Sequence, residues 1–213
     1  MGEYRIVLLR HGESVGNANN YHQGQFDFPL TDHGRQQVHR LLERWLKEGK
    51  QFDRVIASPL KRARETAEII ANGLNLPIEF EDDWMERNNG ALQGLPEDTA
   101  RILYPAPDFF SPFDPIVGNG EGDWELYLRA GRALLKLLRR PAGSYLVVSH
   151  GGLLNQAICA ILEVAHHANG KGAHFRFGNT AFATFIYRSA EHCWIVCGMN
   201  DAMHLYGEDT KDD

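Results

Sequence analysis

The sequence lacks the features that mark a membrane or secreted protein. None of its apolar runs is long enough to span a bilayer, so we expect no membrane-spanning segment. Its N-terminus enters an apolar strand directly, unlike a signal peptide. The three cysteines, Cys159, Cys193 and Cys197, are an odd number set among apolar neighbours. They indicate buried thiols in a reducing cytoplasm, and neither a disulfide framework nor a zinc site.

Positive charge is also scarce in the chain. The sequence has 22 Lys and Arg against 28 Asp and Glu, which gives a formal net charge of -6. An acidic balance of this size argues against nucleic acid as a partner. It leaves room for a small anionic substrate, because a few arginines and histidines can reverse the field inside one pocket.

The chain has enough apolar material for one core. With 213 residues, 43% of them hydrophobic, it is expected to fold as a single domain over residues 1–213. Helices are expected from Thr31 to Gly49, from Ser58 to Gly73, from Leu153 to about Val164 and, as a short element, near residues 97–103. A further amphipathic helix is predicted from the apolar stripe Trp124, Leu128, Gly131, Leu135 and Leu138. The strands predicted from apolar runs are residues 4–9, 53–57, 76–80, 145–148, 173–177, 181–187 and 193–199.

The apolar residues between positions 82 and 122 mostly lack the regular spacing of a helix or a strand. This stretch has five prolines between positions 96 and 115, and Phe109, Phe110 and Phe113 lie among them. A long irregular segment in a compact domain usually has a function, such as a lid. We expect the segment to lie over the sheet, with the three phenylalanines as an apolar wall of the pocket.

Two of the predicted strands end in the same way, in an apolar run followed by His and Gly. They place His11, beside Arg10, and His150 at strand ends, while Arg62 lies on the helix after a third strand. The carboxyl edge of a parallel sheet is where ligands bind in such proteins. Arginine suits phosphate, because its planar fork donates two hydrogen bonds. A neutral imidazole is a good nucleophile near pH 7.

Seven segments, in order, resemble the motifs of the histidine phosphatase superfamily, in the branch that includes cofactor-dependent phosphoglycerate mutases. The resemblance covers nearly the whole chain, and so many ordered matches are far more specific than any one of them. The segments are LRHGES at 9–14 with Asn17, DFPLTDHG at 27–34, SPLKRARETA at 58–67, ERNNGALQG at 86–94, GEG at 120–122, VSHGG at 148–152 and NDAMHL at 200–205.

The resemblance implies a role for each residue of the pocket. His11 would be the nucleophile that accepts the phosphoryl group. Arg10, Arg62 and His150 would bind that group and stabilise its transition state. Glu86 would protonate the leaving oxygen and then act as base for the attacking water.

Further contacts to substrate are also implied by the resemblance. Asn17 and Gly24 would contact the phosphate or the rest of the substrate, and Arg87 resembles a substrate-binding arginine of the mutases. The two asparagines after Arg87 depart from the mutase sequence. For Glu86, a place in a solvated acidic loop with residues 81–83 is the alternative. No metal and no cofactor are implied, since side chains supply the positive charge.

The expected fold is a three-layer α/β/α sandwich with a mostly parallel sheet and a small cap insertion, residues 82–122, over its carboxyl edge. The expected function is hydrolysis of small phosphorylated metabolites through a phosphohistidine on His11. A phosphoglycerate mutase is the alternative, but Arg101 is the single Lys or Arg between residues 95 and 120, which suits a second anionic group poorly. A catalytically dead phosphate-binding or interaction module ranks third. The substrate and any homo-oligomer are left open.

Overall fold

A six-stranded sheet, in the order β3-β2-β4-β1-β5-β6, forms the middle layer of the computed structural model, which describes residues 2–206. The strands β1 to β4 are parallel to one another, whereas β5 is antiparallel to β1 and β6 is antiparallel to β5. The sheet is therefore mostly parallel, as predicted. The strands are β1 Glu3–Arg10, β2 Arg54–Ala57, β3 Ile78–Phe80, β4 Ser144–Ser149, β5 Phe182–Arg188 and β6 Cys193–Asp201.

Helices cover both faces of this sheet. Along β1, Ile6 and Leu8 belong to one buried cluster, with α5 and α6, whereas Val7 and Leu9 belong to the other, with α2 and α3. Successive side chains of a strand point to opposite faces of the sheet, which explains this alternation. Apolar contacts on both faces confirm the three-layer sandwich. The helices are α1 Val15–Ala18, α2 Asp32–Lys47, α3 Lys61–Leu74, α4 Glu97–Leu103, α5 Asp123–Leu138 and α6 Gly151–Leu162.

Several local predictions are wrong. Helix α3 begins at Lys61 with Leu60, and not Ser58, at its N-cap, and it runs through Gly73 to a left-handed Asn75. Residues 173–177 form no strand. Of the three cysteines, all free, Cys159 is buried but Cys197 is exposed.

The apolar stripe predicted for α5 is the wrong face of the helix. Trp124, Leu128 and Leu135 are exposed, by 40%, 54% and 50%, and Leu138 alone of the stripe's leucines packs against the core. The helix packs on the sheet with a second stripe, which includes Leu126 and Leu134. Periodicity finds a helix, but it cannot choose between two apolar faces.

The two ends of the irregular segment are joined to each other by hydrogen bonds. Asn88 and Glu121 are joined twice, by Glu121 N–H to the Asn88 carbonyl at 2.7 Å and by Asn88 N–H to the Glu121 carboxylate at 2.7 Å. Gly90 and Gly120 lie so close that a Cβ on Gly90 would be 2.8 Å from the nitrogen of Gly120. The segment between these pairs contains α4, at the predicted place.

No helix within residues 2–206 has both the length and the apolarity to cross a bilayer.

Candidate active site

His11 lies immediately after β1, and hydrogen bonds hold both its backbone and its ring. Its N–H donates to the Ser149 carbonyl at 3.0 Å, and its own carbonyl accepts from Thr180 N–H at 3.2 Å. Its ring Nδ1 lies 2.7 Å from the Gly12 carbonyl. A carbonyl only accepts, so Nδ1 carries the proton and the neutral ring keeps an unprotonated Nε2. The backbone thus selects the tautomer that a nucleophile needs.

Parallel pairing of β1 with β4 brings the second histidine next to the first. Arg10 pairs with Ser149 in the register, so His11 and His150 follow side by side with ring centroids 5.1 Å apart. His150 Nε2 lies 2.8 Å from the Ser58 hydroxyl at the end of β2. Its Nδ1 is buried and has no hydrogen-bond partner among residues 2–206. Three strand ends therefore meet at one point, where one buried ring nitrogen has no partner among the described residues.

Two buried guanidinium groups flank the imidazoles. Arg62 on α3 donates to the carbonyls of Gly24 at 2.6 Å and Phe26 at 2.9 Å. Arg10 donates to the Phe177 carbonyl at 2.7 Å. In each guanidinium Nε is buried without a partner in the described part of the chain. These contacts fix the two cations and leave donors for an anion.

The electrostatics favour neutral imidazoles beside charged arginines. Burial, followed by the charges of Arg62 and Arg10, holds the pKa of His11 well below its usual value of 6.5. Burial and Arg62 do the same for the pKa of His150. Burial lowers the pKa of Arg62 to about 10, so it remains a cation at neutral pH. The site thus combines fixed positive charge with a nucleophile that has a free electron pair.

Glu86 is held at the N-terminus of α6 by backbone donors. Its Oε2 accepts from Gly152 N–H at 3.0 Å, and its Oε1 accepts from the N–H groups of Leu153 at 3.1 Å and Arg87 at 2.8 Å. Gly152 is required for this approach, since a Cβ there would lie 2.5 Å from Oε1. The carboxyl group is thereby oriented by the main chain.

Arg129 of α5 fixes the loop that carries Glu86. It donates to the carbonyls of Met85 at 2.6 Å and Glu86 at 3.0 Å. It also forms an ion pair with Glu121 at 2.7 Å. Arg129 was not predicted from the sequence, because nothing in the residues around it indicates that it belongs to the site.

Most of the predicted site residues line one cavity of about 280 Å³. Asn17 and His150 lie outside its lining: Asn17 accepts hydrogen bonds from Ser14 and Asn179, and His150 is fully buried behind His11. The predicted residues that line it are Arg10, His11, Gly24, Arg62, Glu86 and Arg87. Sequence analysis missed the lining residues Tyr21, His22, Gln23, Asn89 and Gly152.

Other expectations concern the cavity walls. The phenylalanines at 109, 110 and 113 do not line this cavity, and of the three only Phe110 lines a neighbouring one. Arg87 reaches the cavity, but its guanidinium is ion-paired with Asp123.

Among the described residues no group of three or more His, Cys, Asp or Glu could hold a metal ion. The arrangement can bind a small dianion and offer it a nucleophile and a carboxyl group.

Comparison with known proteins adds a family and a set of relatives. The model of the histidine phosphatase superfamily (branch 1) matches residues 6–201. The chain is 31% identical over 211 residues to the "probable phosphoglycerate mutase GpmB" of Yersinia pestis, with 94% of each chain covered.

Solved structures show the same fold. YhfR of Bacillus stearothermophilus matches with a TM-score of 0.79 and 25% identity, over 95% of this chain and 99% of that one. A phosphoserine phosphatase of Entamoeba histolytica matches with a TM-score of 0.73 over 95% and 99% of the two chains. At 24% identity, the second likeness concerns the fold alone.

Proposed function

This chain belongs to the histidine phosphatase superfamily, branch 1, and from that premise we propose that it hydrolyses small phosphate monoesters without a metal ion. The observation that carries the proposal is the free Nε2 of a neutral His11 in a cavity lined by Arg10 and Arg62. Such a site favours phosphoryl transfer, because its cations meet the charge of the phosphoryl oxygens.

In the first step His11 Nε2 attacks phosphorus and the ester P–O bond breaks. Glu86, in its acid form, gives a proton to the leaving oxygen, so an alcohol departs and a phosphohistidine remains. Arg10 and Arg62 hold the phosphoryl oxygens through donors that include the unpaired Nε atoms. His150 supports the same group through Nδ1, and Ser58 fixes its ring.

In the second step a water molecule attacks the phosphohistidine. The Glu86 carboxylate takes a proton from that water, the P–N bond breaks, and inorganic phosphate leaves with His11 restored. Asn17, Gly24 and Arg87 are proposed as contacts to phosphate or substrate. Gly24 and Arg87 line the cavity, and Asn17 lies in an adjoining hollow with Tyr21 and His22.

Mutase activity is the second candidate, favoured by the name of the Yersinia relative. A mutase must hold a second anionic group while the phosphoenzyme returns its phosphate. In this chain Arg101 is ion-paired with Glu97, and Arg87 is ion-paired with Asp123. Both cations are thereby balanced, which supports transfer of the phosphate to water.

The direct test is His11→Ala, with the exposed His39→Ala on α2 as matched control. Phosphate release from p-nitrophenyl phosphate and from glycerol 3-phosphate should be abolished by His11→Ala and unchanged by His39→Ala. Release near the wild-type rate from His11→Ala would exclude the mechanism. Faster interconversion of 2- and 3-phosphoglycerate than phosphate release in the wild type would assign the chain as a mutase. Vanadate binding without hydrolysis of any ester would leave only a phosphate-binding module.

A further inference from the structure

A second cavity, of about 560 Å³, adjoins the catalytic one. His22 lines both of them, and its backbone is fixed by His22 N–H to the Leu95 carbonyl at 2.9 Å and Gly94 N–H to the His22 carbonyl at 2.8 Å. The two cavities therefore share a wall that the main chain holds in place. An ester bound at His11 would have to pass His22 to reach the second cavity.

The walls of the second cavity are mostly apolar. They come from α4, the proline-rich stretch that follows it, and the loop at Asn169. That stretch is anchored, since Phe110 N–H donates to the Asn169 side chain at 2.6 Å and Asn169 N–H donates to the Phe110 carbonyl at 2.7 Å. The apolar residues that matter most for a ligand are Leu92, Ala100, Tyr104, Pro107, Phe110 and Ile116.

The charges around this space are unfavourable for an anionic leaving group. Arg101 is the one cation in the lining of the second cavity, and its charge is balanced by Glu97. Asp108 adds a negative charge to the same lining. At the catalytic mouth Arg87 is balanced by Asp123. A carboxylate that followed the phosphate into this space would meet no unpaired cation in the described lining.

We propose that the second cavity is the leaving-group subsite, and that it selects phosphate monoesters of apolar, uncharged alcohols. The inference rests on the proposed phosphatase function and specifies its substrate class. Burial of apolar area against these side chains favours such esters, whereas a carboxylate is desolvated without compensation. The same two effects discriminate against phosphoglycerates.

The test compares three esters that all release a primary alcohol, so their intrinsic reactivities are similar. They are 2-phenylethyl phosphate, glycerol 3-phosphate and 3-phosphoglycerate, with phosphate release as the readout. We expect kcat/KM for the phenylethyl ester to exceed that for 3-phosphoglycerate by about tenfold or more, the usual discrimination of an apolar pocket. Equal or reversed values, with phosphate released from all three, would overturn the subsite and leave the phosphatase function intact. Release from none would overturn both.

A charge placed in the cavity gives a second measurement. Ile116→Lys, at a side chain 44% exposed, should lower the phenylethyl to phosphoglycerate ratio by about tenfold. The matched control is Leu103→Lys, at a side chain 57% exposed that lies outside the lining, and it should keep the wild-type ratio. Equal changes in the two variants would contradict the proposal, and thermal melts verify that both variants fold.

Discussion

Replacement of Gly152 by alanine should slow the hydrolysis of alkyl phosphates while the fold remains stable. The new Cβ would lie 2.5 Å from Glu86 Oε1, whereas real Cβ contacts are essentially never under 3.0 Å. The carboxyl group must therefore move by about 0.5 Å or more, which is the tolerance within which catalytic groups are held. This movement strains the hydrogen bonds from the N–H groups of Gly152 and Leu153.

Displacements of this size cost between about tenfold and a hundredfold in rate. The loss should be confined to esters that need a proton on the leaving oxygen. We expect kcat/KM for glycerol 3-phosphate to fall by that amount, and kcat/KM for p-nitrophenyl phosphate to fall much less, because p-nitrophenolate leaves unprotonated. Steady-state phosphate release measures both. The melting temperature should not fall, since the displaced atom is the end of a side chain and alanine is a better helix former than glycine.

The matched control is Gly131→Ala on α5, where a Cβ would meet nothing within 4 Å. It should retain wild-type kinetics with both esters. Wild-type hydrolysis of glycerol 3-phosphate by Gly152→Ala would refute the role given to Glu86. An equal loss with both esters would refute its role as the proton donor.

Two further predictions concern charge. Below pH 6.5 the unfolded chain binds protons at His11 and His150 that the folded chain excludes, because burial holds the pKa of both groups down, so these two groups should lower the free energy of unfolding by about 2.7 kcal/mol from pH 7.5 to 5.5. Burial also lowers the pKa of the partly exposed His204 to about 4, which adds about 1 kcal/mol to the fall. Urea melts without phosphate should show a fall smaller by about 1.4 kcal/mol in His150→Ala than in His39→Ala, and equal falls would contradict the cause. Asp123→Asn should release Arg87 and so strengthen the binding of 3-phosphoglycerate, which steady-state kinetics would detect as a several-fold lower KM. An unchanged KM would show that the ion pair does not limit binding of this substrate.

The catalytic edge was predictable from sequence because its signals are local. Apolar runs that end in His-Gly place His11 and His150 at strand ends. Parallel pairing of the two strands then brings the two histidines side by side. Arg62 and Glu86 were found through motifs. That both would line one cavity was implied by the resemblance of the whole chain to the family, whose motifs occur in the same order.

What sequence analysis missed depends on tertiary contacts. Ser58 is a residue typical of a helix start, yet α3 begins three residues later, and the Ser58 hydroxyl contacts both Leu60 N–H, at 3.3 Å, and the His150 ring, at 2.8 Å. Arg129 binds backbone carbonyl oxygens, and because every residue has one, the sequence does not show which of them an arginine will contact. The phenylalanines of the irregular segment have no periodicity to orient them, and Phe113 packs on Trp124 with ring centroids 5.6 Å apart.

The double link between Asn88 and Glu121 makes the intervening segment an exchangeable module. Its two ends stay together whatever lies between them, and the entropy of closing a loop grows only with the logarithm of its length. Residues 93–97 hold the loop that carries His22 and Gly24 in the wall of the catalytic cavity, so this part of the segment must stay. Insertions or replacements between the end of α4 and Gly120 should leave the phosphoryl chemistry in place, so that substrate preference can change there independently of catalysis.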